Sequence, residues 1–147
     1  MRRAALITAL FSALTCAPLH AENLVGVSNP ARAQTNYMLN CQGCHGAKGA
    51  GTADGAVPTM QGFLGAFLTV EGGREFLVQV PGSANAALDG PALAEVLNWM
   101  LHTMSEGTLP EPFEPYTAEE VSELRQAPLA EIESVRADLL ARMGVEH

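Results

Sequence analysis

Residues 40–46 read NCQGCHG, and this pair of cysteines with a histidine directly behind it limits what the chain can become more than any other feature. Such a segment can hold a haem, hold a zinc ion or shuttle a disulfide. A structural zinc site needs four ligands, usually from two such pairs. Apart from Cys16, near the start, the chain has no further cysteine, and His102 and His147 stand at no ligand spacing around the motif. A dithiol redox motif belongs between a strand and a helix of a βαβ unit, and no such pattern flanks it. A plain disulfide between Cys41 and Cys44 would leave His45 without a role.

Covalent haem attachment uses all three residues. Each thiol adds to a haem vinyl group, the two-residue gap matches the vinyl separation, and the adjacent imidazole is carried under the iron as an axial ligand. The context agrees. The stretch CQGCHGAKGAGTADGAVP is rich in glycine and small residues, which lets the backbone approach a flat ligand closely. Apolar residues make up 48 % of the chain but aromatics only 5 %, with 14 glycines and 9 prolines. A core that modest leans on a staple or a cofactor.

The N-terminus reads as an export signal. Arg2 and Arg3 precede the short apolar run AALITALFSAL, and a small residue, Ala21, offers a cleavage point before Glu22. The run is too short for a stable membrane anchor, so the expected location is the periplasm, without stable membrane insertion. Removing residues 1–21 leaves 16 acids against six bases, a formal charge near −10. Such a surface repels nucleic acid and suits a protein partner with a basic docking patch. Ten of the acids lie between Glu106 and His147, against three arginines.

Periodicity predicts a helix over residues 31–40, with Pro30 near its start and Ala33, Tyr37 and Cys41 at four-residue spacing. FLGAFLTV and GGREFLVQV suit a short helix as well as a strand. The clearest helix follows: Asp89 caps it, Pro91 suits its first turn, and Leu93, Val96, Leu97, Met100, Leu101 and Met104 form one apolar face. Gly107 and Pro110 end it. LPEPFEPY is an extended arm, Thr117 and Glu120 form a capping box, and a last amphipathic helix opens at Pro128.

From Ala31 to about Leu101 the chain resembles the class I cytochrome c family. The resemblance implies an all-α fold: a cytochrome c-like helical domain, residues 22–107, wrapped around one covalently bound haem c. A C-terminal extension, residues 108–147, follows as a proline-rich arm and helices. It implies that Cys41 and Cys44 hold the haem and that His45 is the axial iron ligand. It also implies that the Pro58 carbonyl orients His45 through its second nitrogen. Tyr37 and Trp99 match aromatics that meet where the first and last family helices cross, with Ala33 small enough to allow close approach.

One departure is sharp. The family takes its sixth ligand, a methionine, from the loop before the last helix, and here VPGSANAALD, residues 80–89, contains neither methionine nor histidine. Met104, at the helix end, is the least implausible internal substitute. Met60 and Met100 suit core filling on the histidine side, His102 lies off the apolar stripe and is expected in solvent, and Asn85 is a weak distal donor. The leading expectation is a monohaem carrier of single electrons between a dehydrogenase or reductase and a redox partner, more a carrier than a catalyst. The alternatives are an open-coordination haem protein that binds a small ligand, as a sensor or peroxidase-like protein, and a cytochrome subunit of a larger oxidoreductase.

Overall fold

The computed structural model describes residues 23–145, so the expected signal segment and His147 lie outside the described residues. Seven α-helices and one 3-10 segment make up the regular structure, and there is no strand among the described residues. Helix α1, Pro30–Asn40, begins where Asn29 accepts from the Arg32 N–H and proline occupies the first turn. A single turn, α2, Gln42–His45, carries the cysteine motif. The two ambiguous apolar stretches are helical: a 3-10 segment over Leu64–Thr69 and α3, Gly73–Gln79. Phe67 and Phe76 stack with ring centroids 5.1 Å apart, and Gly73 lies so close to the Phe67 backbone that a side chain there would collide with it.

Helix α5, Gly90–Met104, is the axis of the molecule. Asp89 caps it by accepting from the Ala92 N–H, and all six residues of its expected apolar face are buried. Helix α1 crosses it at Tyr37, whose ring lies 5.5 Å from that of Trp99, while Ala33 is fully buried one turn earlier. The buried Glu95 carboxylate ties the same two helices together. It accepts from the Ser28 and Asn29 N–H groups, the Ser28 hydroxyl and the Arg32 guanidinium.

The C-terminal segments fold back onto this body. The extended arm brings Tyr116 to α5, where Asn98 accepts from the Tyr116 N–H and donates to both the Tyr116 and Gly26 carbonyls. Gly26 has φ +77° and touches Pro115 and Asn98, so no larger residue fits there. The capping box forms as read, and α6, Ala118–Leu124, packs along α5. The residues 80–89 contain an unforeseen turn of helix, α4, Pro81–Ala84. Arg125 clamps it by donating to the Ala84, Ala86 and Leu88 carbonyls. The last helix, α7, Ile132–Arg142, starts four residues later than expected. The Leu129 N–H donates to the Gln79 carbonyl at 2.9 Å, which holds the preceding stretch against α3 instead.

Burial alone would raise the Glu95 pKa, but the Arg32 guanidinium, the Ser28 hydroxyl and the Asn29 N–H together lower it from 4.5 to about 2. The fold therefore favours the carboxylate. Its contribution is complete above about pH 4.5 and is lost as pH falls toward 2. The full shift corresponds to about 3 kcal/mol, reduced by solvent screening at the half-exposed Arg32. Glu95→Gln is expected to destabilise the protein at neutral pH and to flatten its stability profile between pH 4.5 and 2, measured by denaturant unfolding at a series of pH values. A profile as steep as that of the unsubstituted protein would show that the acid sensitivity arises elsewhere.

Candidate functional site

The cysteine motif is positioned by the end of α1. The Cys41 and His45 amides continue the helical bonding pattern, to the Tyr37 and Cys41 carbonyls, and the Tyr37 hydroxyl donates to the Gly46 carbonyl at 2.6 Å. The turn is thereby fastened to the α1–α5 crossing at both of its ends. Cys41 is partly buried, Cys44 is exposed, and no disulfide joins them. Burial pushes the Cys41 thiol up and the His45 imidazole down. A lowered imidazole pKa keeps His45 neutral, the form whose nitrogen lone pair can bind a metal.

The loop after His45 folds back on itself. The Gly51 N–H donates to the His45 carbonyl, the Thr52 N–H to the Val57 carbonyl, and the Met60 N–H to the Gly49 carbonyl. Gly51, at φ +73°, lies directly against Val57 and Pro58. These contacts carry Pro58 back toward the motif. The hydrogen bond expected from His45 to the Pro58 carbonyl is not made, however: His45 Nδ1 is buried and has no hydrogen-bond partner in this structure.

Met104 is buried at the end of α5. A Cβ built on Gly49 would stand 2.8 Å from the Met104 sulfur and 3.1 Å from Met60 Cε, so both methionines pack on the loop that follows His45. The Gly62 N–H donates to the Met104 carbonyl and fixes the loop there. Met100 is core, as read. Asn85 is exposed at the end of α4. His102 departs from its expected exposure. It is half-buried, with Nε2 2.9 Å from the Val25 carbonyl and its ring edge-on to Phe113.

A groove of about 1370 Å³ opens beside the loop. Gly55, Ala56 and Pro58 form one side, and α7 with its following turn forms the other, through residues such as Ile132, Arg136, Leu140 and Val145. Sequence reasoning gave α7 only as an amphipathic helix and missed this role. The signal was weak, because nothing in the pattern of Leu139 and Met143 tells which partner α7 faces.

The residues present fit a covalently held haem. Two unpaired thiols and a half-buried imidazole lie on one short turn, the imidazole has an orphaned second nitrogen, and a wide groove of mixed polarity lies next to the loop that follows. Among the described residues, no three His, Cys, Asp or Glu side chains come together as a metal-holding group.

Comparison with known proteins agrees. A cytochrome c-552 from Thermus thermophilus is 34 % identical over 103 residues, covering 58 % of this chain and 78 % of that protein. A second cytochrome c-552 of the same species is also 34 % identical over 103 residues, covering 58 % of this chain and 69 % of its own length. No family model matches the chain, and no solved structure matches it significantly. The chain belongs to the class I c-type cytochromes. It is a monohaem electron carrier with one covalently attached haem c.

The loop geometry predicts a specific sensitivity. Gly51→Ala would force a side chain into the left-handed region and against the Val57 carbonyl, at a cost of order 1–3 kcal/mol. Gly43→Ala, inside the motif, meets nothing within 4 Å and needs no unusual backbone angle, so it should be tolerated. Thermal melts of the two holoproteins check this, and equal midpoints would contradict it.

Proposed function

We propose that the protein is an exported, periplasmic cytochrome that passes single electrons between a dehydrogenase or reductase and a redox partner protein. In this reading Cys41 and Cys44 attach the haem and His45 ligates the iron, and the Pro58 carbonyl, which makes no hydrogen bond to His45 in this structure, would accept from its buried Nδ1 only once haem is held. The observation that carries it is the conjunction on one turn of two unpaired thiols and a buried imidazole nitrogen without a partner. When bound, haem supplies a one-electron couple at iron. The chain's residues supply attachment, burial and a fixed imidazole, and these set the potential. Residues 22–107 form the haem domain and residues 108–147 the extension, whose acids would steer docking on a basic patch of the partner. Among the described residues no helix is long and apolar enough to cross a membrane.

A second reading, a haem with an open sixth position that binds a small ligand, is favoured by one observation. Among the described residues, the α7 side of the groove offers aliphatic residues, Glu133 and Arg136 but neither methionine nor histidine. Met104, the internal candidate for sixth ligand, packs on the His45 loop with Met60, and that placement suits packing better than ligation from across the groove. Carbon monoxide binding separates the two readings. Rapid binding to the ferrous protein, with an unaltered spectrum in Met104→Leu, supports the open position. Loss of a methionine charge-transfer band in the same variant restores Met104 as ligand.

The attachment residues are tested directly. Protein matured in a periplasm should retain haem after denaturation, with a mass increased by one haem group. Cys41→Ala or Cys44→Ala should weaken or abolish that retention. Quantitative extraction of haem from the unsubstituted protein by acid acetone would overturn the assignment.

A further inference from the structure

The two thiols of the cysteine turn stand in different surroundings. Ala33, Tyr37 and Cys41 follow one another at four-residue spacing along the face that α1 turns toward α5, and Ala33 and Tyr37 are fully buried there. Cys41 ends that row. It is half-buried, it packs against the core, and its amide is held by the Tyr37 carbonyl. Cys44 lies three residues further on, off the row, and is exposed. The turn is open on that side: Gly43 is exposed as well, and a Cβ built on it meets nothing within 4 Å. The motif itself does not set this difference; the register of α1 on α5 does.

A macrocycle that carries two vinyl groups meets these thiols unequally. Addition of a thiol to a vinyl group is balanced in itself: the sulfur bonds to one vinyl carbon, the thiol hydrogen passes to the other, and the C=C bond becomes single. No oxidant or reductant is consumed. The first addition joins two separate molecules and needs an accessible sulfur. The second is intramolecular, with the remaining vinyl group tethered beside the remaining thiol, so a shielded sulfur suffices for it. We infer that the haem is attached in a fixed order, Cys44 first and Cys41 second. This rests on the reading that these two cysteines hold the haem. It gives the α1–α5 crossing a part in maturation: the buried face of α1 withholds one thiol until the exposed one has captured the macrocycle.

The order is read from the singly linked species, without any substitution. The full-length, thiol-reduced chain is mixed with ferrous, unattached haem in the absence of oxygen, quenched in acid at intervals and digested with trypsin. Both cysteines fall in the fragment 33–48, between Arg32 and Lys48, so its fragmentation spectrum assigns a single thioether to one sulfur or the other. Singly linked fragment should carry haem on Cys44 in at least about threefold excess over Cys41, from the difference in access. An even division, or an excess on Cys41, overturns the order. Variants matured in a periplasm give a second measurement. Cys41→Ala, which keeps the exposed thiol, should retain more covalent haem than Cys44→Ala, and the reverse ranking overturns the order. N-ethylmaleimide, to which a thiol also adds across a C=C bond, checks the cause without haem. Cys44 should be modified first, and equal rates at the two thiols overturn the part given to the crossing. Quantitative removal of haem from the unsubstituted protein by acid acetone is the separate failure, that of the attachment itself.

Discussion

The crossing of α1 over α5 is the contact on which the rest of this structure depends. Ala33 removes the bulk that would hold the helices apart, and Tyr37 fills the crossing and meets Trp99. Glu95 then fixes the rotation of one helix against the other through hydrogen bonds from three consecutive segments of chain: Ser28, Asn29 and the first turn of α1. Because the cysteine turn follows α1 without a break, its direction is set by that crossing. The Tyr37 hydroxyl makes the dependence explicit, since the residue that packs the crossing also binds the Gly46 carbonyl beside His45. A shift of α1 along α5 would therefore move the thiols and the imidazole with it.

The C-terminal segments bear on the same region from the other side. The loop before α5, residues 80–89, contains neither methionine nor histidine. Arg125 gathers three of its carbonyls, groups that a one-turn helix cannot satisfy within itself. Arg74 joins α3 to the arm and α6 by pairing with Glu120, binding the Glu114 and Pro115 carbonyls and lying over the Tyr116 ring. The extension is thus bound to the body by charged hydrogen bonds to backbone as well as by apolar packing. That attachment gives α7 the fixed position from which it forms a wall of the groove.

Much of this was legible in residue order. The helix from Gly90, its aspartate cap, its six-residue face and the Thr117 capping box follow from local rules acting over a few residues, whereas the Tyr37–Trp99 meeting was implied by the family resemblance alone. The stretches around Phe67 and Phe76 were ambiguous because each is too short for its period to decide. In the structure the two helical stretches pack on each other, with the Phe67 and Phe76 rings stacked and the Phe67 backbone close against Gly73, a fit that the local pattern does not record. The late start of α7 has the same origin, a bond between Leu129 and Gln79 that no local pattern records. Of the candidate site, the motif residues were evident from their spacing. The placement of Met104 on the His45 loop and the exposure of Arg136 to the groove depend on how distant segments pack, and sequence order does not carry that information.

The hub at Asn98 has a consequence for the order in which the molecule assembles. Its amide group binds Gly26, 72 residues earlier, and Tyr116, 18 residues later, so one buried side chain fastens the N-terminal strap and the C-terminal arm together. Neither bond has a local substitute. Both require α5 to be formed and in place, and the longer one closes a large loop whose entropy must be overcome by contacts already made. The clasp is therefore a late closure. Until it engages, both ends of the chain can swing clear of α5 while the cysteine turn, built from contacts within nine residues of Tyr37, already has its shape. A nascent chain organised in this way can present its thiols before it encloses them.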